Sequence, residues 1–316
     1  MDRTRVTPTL RVTVGITTLL LLVASLPPDT GRTLHAQQKS QIFFSAYDSV
    51  GNPVSMLTPD DVTVTEDDVA CKTVKVDPID WPMKLTVLVD NGHGSTAWLA
   101  NLRTGLQGFF DAIPAGVEAS ILTIGSQPRW VVRPTMDKAA LSKGITLIAQ
   151  DAGAPMFVDA LLEASKRIDT DKSEHFPVIV LITSDVGGAR GTVERDLEQI
   201  QKLVQKHAVT VHFVLATSGS QSQNGVTGAL QTDVGISLTK MSGGRYESIN
   251  SGSRLASLLP ELGKQIATSN DRQTHQYRIT YERPAKATKP PQGVGINLKR
   301  PGVSGILSFD GHIPAP

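Results

Sequence analysis

Apolar residues change their period along this chain, from two to about three and a half and back to two, and the changes mark its organisation. Residues 42–47 and 62–65 are short runs of strand character, separated by turn signals at Gly51-Asn52-Pro53 and Thr58-Pro59-Asp60, and residues 41–76 read as a small β unit. At Lys84 the pattern shifts. Leu85, Val87, Leu88 and Val89 form an apolar run with β-branched members between Pro82 and the Asp90-Asn91-Gly92 turn signal, the signature of a strand buried on both faces. Trp98, Leu102, Leu106, Phe109 and Ile113 then recur at helical spacing, so the chain passes from strand through a glycine-rich loop into an amphipathic helix.

Strands and helices alternate from there. Residues 117–124 and 130–133 read as strands close enough to form a hairpin, 138–149 and 157–168 as helices, 178–183 as a strand, 193–207 as a charged amphipathic helix and 209–216 as a strand. The stretch 217–233, rich in Ser, Gly, Gln and Asn, reads as a surface loop. A helix over 238–241 stops at Gly243-Gly244, 246–249 is an edge strand, and 255–266 is the last helix. This order predicts an α/β fold: a doubly wound, mostly parallel central sheet with helices on both faces. Beyond Thr268, Tyr277, Ile279 and Tyr281 alternate with polar residues, and apolar runs at 294–298 and 306–309 follow between prolines. That is a second small β segment, whose strands are expected to pair with each other and with those before Met83.

Residues 1–36 read as an export signal, with Arg3 and Arg5 at the start, an apolar run over 12–26 and Leu34-His35-Ala36 before a polar segment. The expected organisation is a leader over 1–36, an N-terminal β segment over 37–82, the α/β body over 83–268 and a C-terminal β segment over 269–316. Cleavage near Ala36 would place the protein in the periplasm or outside the cell with no membrane span, because the apolar run falls short of the roughly 20 residues a spanning helix needs. No cysteine follows the run and no paired arginines precede it, which argues against a lipid anchor and twin-arginine export. Cys71 is the single cysteine, so no intrachain disulfide forms. Lys plus Arg number 31 against 30 for Asp plus Glu, spread along the chain, which excludes electrostatic capture of nucleic acid.

In a doubly wound sheet, ligands bind at the carboxyl ends of the strands, which directs attention to the loop from Asp90 to Ser95. Four stretches in order carry a resemblance: KLTVLVDNGHGS at 84–95, GAPMFVDALLEAS at 153–165, VIVLITSD at 178–185 and MSGGRYESI at 241–249. Together they resemble the von Willebrand factor A domain over roughly 84–268. The flanking YDSVGNPVSMLTPDDVTVTEDD and the later QYRITY and KRPGV are similar to an exported bacterial subgroup related to that family. The resemblance implies a site for Mg²⁺ or Mn²⁺ built from two Asp, two Ser and one Thr, its coordination completed by an acidic group of a partner. Carried over by position, Asp90 is retained, Gly92 and Gly94 replace the serines, Pro155 replaces the threonine, and Asp185 supplies the second carboxylate. Ser95 and Ser184 lie nearby. The candidate ligands of such an ion are thus Asp90, Ser95 and Asp185; otherwise Asp90 and Asp185 bind loop amides and cap helices.

Other chemistries match less well. Gly92-His93-Gly94-Ser95-Thr96-Ala97 has the form G-x-G-x-x-A between strand and helix, but Asp90 sits where a pyrophosphate would lie and the next strand ends without an acidic residue for a ribose. There is no G-x-S-x-G elbow, no G-x-x-x-x-G-K-[ST] loop and no H-E-x-x-H or paired-cysteine zinc pattern. His93 stands alone in the key loop, His207 reads as a partner of a helix C-terminus, and His212 as a packing position. The acidic run Glu66-Asp67-Asp68 reads as a solvated hairpin turn. What remains is recognition of a protein or cell-envelope component by a loop rim comprising Asn91, His93, Trp98, Pro155 and Met156. The expectation is therefore a non-enzymatic binding module with a degenerate metal site. An intact Mg²⁺-dependent adhesion site is the second reading, and an exported nucleotide-using enzyme or hydrolase the third.

Overall fold

The computed structural model describes residues 39–186, 193–217, 228–284, 287, 289 and 291–308. The expected leader and residues 218–227 of the expected loop lie outside them. The chain opens with β1 (Lys39–Tyr47), β2 (Val62–Glu66) and β3 (Val69–Ile79). It continues through β4 (Met83–Val89), α1 (Leu99–Ala112), β5 (Glu118–Thr123), β6 (Arg129–Thr135), α2 (Lys138–Leu147), α3 (Phe157–Thr170) and β7 (Phe176–Ser184). Then come α4 (Val193–Lys206), β8 (Thr210–Ala216), α5 (Ala229–Ser242), β9 (Tyr246–Ile249) and α6 (Leu255–Gln273), and finally β10 (Gln276–Glu282), β11 (Val294–Leu298) and β12 (Ser304–Ser308). Two compact units result, dividing between Ile79 and Asp80 and again between Thr274 and His275. No described helix is long and apolar enough to cross a membrane.

The larger unit is the doubly wound body. Its sheet has the order β6-β5-β4-β7-β8-β9, parallel throughout except for the edge strand β6, which runs antiparallel to β5 as a hairpin partner. Such a sheet must be covered on both faces, and β7 shows it: all nine of its residues are buried. Alternation sorts β4 between two cores. Leu85, Val87 and Val89 pack with residues of α1, α2 and α6, including Leu102, Phe109, Ile145 and Leu259. Leu88 packs on the opposite side with Phe157, Leu161, Ile200, Phe213 and Leu238 from the α3, α4 and α5 side. Strand order reverses at β4, because the chain first builds β5 and β6 on one side of it and then returns to add β7, β8 and β9 on the other. The gap between the carboxyl ends of β4 and β7 is therefore the switch point where such sheets hold ligands.

Two helices differ in extent from the sequence reading. α5 begins at Ala229, so the last residues of the expected 217–233 loop are helical, entered through Gly228 at φ +81°. α6 continues to Gln273, past the expected end at 266.

The smaller unit combines both ends of the described chain in one antiparallel sheet of order β11-β2-β3-β10-β1-β12. The C-terminal strands neighbour N-terminal strands and not each other: β10 lies between β1 and β3, β11 pairs with β2, and β12 with β1. Ile42, Phe44, Val64, Tyr277, Ile279 and Tyr281 form its core. Asp67 and Asp68 make the hairpin turn between β2 and β3 with φ of 48° and 66°, a left-handed pair that short polar side chains tolerate. Glu66 corrects the picture of a wholly solvated acidic run. It is 3% exposed and accepts hydrogen bonds from the Tyr281 hydroxyl at 2.8 Å and the Arg283 Nε at 2.9 Å.

Candidate functional site

Asp90 is the first residue past β4 and is 0% exposed. Its Oδ1 accepts from the Gly92 amide at 2.7 Å, and its Oδ2 accepts from the Ser184 amide at 2.8 Å and the Ser184 hydroxyl at 2.5 Å. The pairing of β4 with β7 explains this contact: Val89 lies beside Ile182, which brings the end of β7 alongside the residue that follows β4. Burial pushes the Asp90 carboxyl above its ordinary value, and the bonds from Ser184 and Gly92 oppose that rise. The carboxylate thus ties the two strands together across the switch point.

The glycines that stand in the serine positions are closely hemmed in. A Cβ on Gly94 would lie 2.5 Å from Val186 Cγ2 and 2.7 Å from the Ser184 hydroxyl oxygen; one on Gly92 would lie 2.6 Å from the Gly153 carbonyl. A serine at either position would collide with its neighbours as they stand. Ser95 is 0% exposed and donates its hydroxyl to the Gly92 carbonyl at 2.8 Å. Pro155 is buried and offers no side-chain oxygen. Asp185 is 5% exposed, with its amide donating to Ala216 at 3.2 Å. Among the described residues, no group of three or more His, Cys, Asp or Glu is arranged to hold a metal. A Mg²⁺ or Mn²⁺ ion wants near-octahedral oxygens, and this donor set does not fit one: Asp90 and Ser95 are committed to hydrogen bonds and Gly92, Gly94 and Pro155 carry no side-chain oxygen, which leaves the single carboxylate of Asp185.

Around Asp90, three loops are laced together. Asn91 donates from Nδ2 to the Ala149 carbonyl at 2.7 Å, accepts on Oδ1 from the Gly125 amide at 3.0 Å, and its carbonyl accepts from the Asp151 amide at 2.7 Å. The His93 amide donates to the Gly153 carbonyl at 3.1 Å, and the Met156 amide to the Ile124 carbonyl at 2.8 Å. Asp151 accepts from the Ser126 hydroxyl and from the Gly153 amide, and these bonds hold its carboxyl below the usual carboxylate value. Gln150 donates to the Thr96 hydroxyl at 2.6 Å. Ser126, Gln150 and Asp151 escaped the sequence reading; the signal for the last two is the polar turn Gln150-Asp151-Ala152-Gly153 before α3.

The expected rim is only partly a rim. His93 is exposed and Met156 half-buried, whereas Asn91, Trp98 and Pro155 are buried. Trp98 is the clearest correction. It closes a 3₁₀ turn spanning His93–Trp98, which swings its ring into the core beside Leu102 and Leu255, leaving it 7% exposed. The surface that remains is made of His93, Thr96, Ala97, Gln150 and Ala152.

This loop does not cradle a phosphate. The amides of Gly92, His93 and Ser95 are already bonded, to Asp90, Gly153 and Gly92 respectively, where a dinucleotide loop presents free N–H groups. Among the described residues of this loop cluster the Ser95 and Ser184 hydroxyls serve Gly92 and Asp90, and the His93 Nδ1 faces the Gly153 carbonyl at 3.2 Å, so neither serine is paired with that imidazole.

No protein-family model matches the chain, and no curated protein matches it. Solved structures do. A von Willebrand factor type A protein from Catenulispora acidiphila is 11% identical with a TM-score of 0.48, over 74% of this chain and 52% of that one. The pilus adhesin SpaC from Lactobacillus rhamnosus GG is 12% identical with a TM-score of 0.48, over 79% and 47%. The SpRpn10 VWA domain is 15% identical with a TM-score of 0.45, over 58% and 97%. The chain spans about half the length of the first two. The strand order and switch point above rest on the hydrogen-bonded ladders of this chain's own sheet.

Proposed function

We propose that the chain is an exported, non-enzymatic binding module that recognises a protein or cell-envelope component with the loops at the carboxyl ends of its central sheet, and does so without a metal ion. One observation carries this reading: both oxygens of Asp90 are occupied by Gly92 and Ser184, in a site closed to solvent. In an ion-dependent face that carboxylate would hold the cation to which a partner's acid binds. Here it fixes the loops instead, and recognition falls to the exposed polar groups around it: His93, Thr96 and Gln150, with Met156 at their edge. Hydrogen-bonding groups on a rigid base suit a polar protein surface.

The test is thermal unfolding in EDTA and then with Mg²⁺ or Mn²⁺, for wild type and Asp90→Asn. An ion at a hundred times its dissociation constant would add about 2.7 kcal/mol, a readily measured rise in melting temperature. The expected result is no metal effect in either protein, with Asp90→Asn less stable in both buffers. A metal-dependent rise in wild type that disappears in the variant would overturn the metal-free reading and restore Asp90, Ser95 and Asp185 as ligands.

A further inference from the structure

The sheet face that carries α3 changes character along its strands. β4 and β5 pair in register, so Leu88 lies beside Leu122, Thr86 beside Ser120 and Lys84 beside Glu118. The first pair belongs to the apolar core under α3, the second is hydroxylic and the third is charged. Above the two polar rows, between the sheet and α3, is a cavity of about 260 Å³, with Trp130, Ala164 and Ile168 in its walls and Arg133 among its lining residues. It lies toward the amino ends of β4 and β5, the opposite ends from Asp90.

The three cations around the cavity are unequally engaged. Lys84 reaches Asp171 at 2.6 Å and Glu118 at 3.7 Å, so the two carboxylates lining the cavity share one ammonium. Arg167 stacks over the Trp130 ring, 4.6 Å from its centroid, and pairs with Glu163 at 2.5 Å. The Arg133 side chain is exposed and forms no hydrogen bond or ion pair with a described residue. The cavity thus combines an uncommitted guanidinium, an indole wall already held by a stacked cation, and Ser120, 2% exposed, on its floor.

We propose that this cavity binds a small organic carboxylate. Its two oxygens would take the paired donors of Arg133, the bidentate geometry that guanidinium favours, and its body would lie on Trp130 against Ile168. The space is enough for a compact ring or short chain. Inorganic phosphate shares the guanidinium chemistry but would leave the apolar walls uncovered, so the walls assign the site to an anion with an apolar body.

The experiment titrates the purified ¹⁵N-labelled protein with benzoate, benzamide and inorganic phosphate at constant ionic strength. The readout is the three tryptophan indole N–H resonances, with Trp130 assigned through Trp130→Phe. Benzoate is expected to shift the Trp130 resonance saturably. Arg133→Gln, an exposed change that leaves the fold intact, is expected to weaken benzoate about tenfold or more, since it removes the charge-assisted pair of donors. Benzamide and phosphate are each expected to bind more weakly than benzoate by a similar factor. The proposal is overturned by the absence of a saturable benzoate shift, by equal binding of benzamide, by phosphate binding as tightly as benzoate, or by unchanged affinity in Arg133→Gln.

Discussion

Replacing Ser184 by alanine isolates the bond on which the reading of the switch point rests. The substitution removes the hydroxyl that donates to Asp90 Oδ2 and leaves the Ser184 amide and the Gly92 amide as the remaining donors. A hydrogen bond to a charged group contributes about 1.5–3 kcal/mol, and Asp90 is fully buried, so water does not replace the lost donor. The expected loss at neutral pH is about 2–3 kcal/mol. The pH dependence carries a sign. The folded Asp90 carboxyl lies above its ordinary value, so the folded state binds the extra proton, and this group's contribution falls as pH rises from the unfolded value through the folded one. The Ser184 hydroxyl bond is the largest influence opposing that rise, so without it the folded value moves higher still. The deficit of Ser184→Ala is therefore largest near neutrality and shrinks in acid, where Asp90 takes up its proton. Depressed groups such as Asp169 and Asp171 titrate alike in both proteins and cancel in the difference. Urea unfolding followed by tryptophan fluorescence is the assay, because Trp81, Trp98 and Trp130 all lie in the larger unit. A difference below about 0.5 kcal/mol at pH 7, or one that grows as the pH falls, would refute the reasoning.

Gly94→Ser should lower stability by about 1–3 kcal/mol through its collision with Val186 and Ser184, and should gain no response to Mg²⁺, as melts with and without the ion would show. In the smaller unit, Glu66→Ala leaves the 7%-exposed Arg283 side chain without its carboxylate and should cost about 3–5 kcal/mol; hydrogen exchange of β1 and β10 amides, faster in the variant, reads this locally. Asp169 is held at about 2 by Lys206 and His207, so its contribution is complete above the ordinary carboxylate range and is lost as pH falls through about 2. Asp169→Asn should flatten that portion of the acid-unfolding curve, and an unchanged curve would show that the pairs contribute nothing.

The parallel core was legible because fully buried strands are continuous apolar runs, as in residues 178–183 of β7, where no polar residue breaks the signal before Thr183. The start of α5 was not: Gly228, Gln231, Thr232 and Asp233 hide it, and only Leu230, Val234 and Leu238 keep helical spacing, all three packing on the α3 side of the sheet. β3 was masked by Lys72, Lys75, Asp77 and Pro78, residues suited to a strand with one solvated face. Asp90 stood out as the residue at the key turn, but its partner did not. The contact with Ser184 spans 94 positions and is set by the parallel register of β4 and β7, which periodicity alone does not fix. Trp98 misled for a local reason: a 3₁₀ turn is wound more tightly than an α-helix, and the six residues before α1 point it inward.

The departures from an ion-binding loop form one mutually dependent set. A buried carboxylate at position 90 needs donors to stay charged, and in a metal site the cation supplies that compensation. Without an ion the compensation falls to hydrogen bonds, of which the Ser184 hydroxyl is the one side-chain donor among the described residues. That hydroxyl stands 2.7 Å from where a Cβ of residue 94 would lie, so its place against Asp90 requires glycine there. Gly92 is held to glycine by the Gly153 carbonyl, whose loop is fixed in turn by Asp151 and Ser126. Restoring one serine would therefore not restore an ion site. It would strain a set of bonds that already satisfies Asp90, which is why Gly94→Ser is expected to weaken the fold while leaving metal affinity absent.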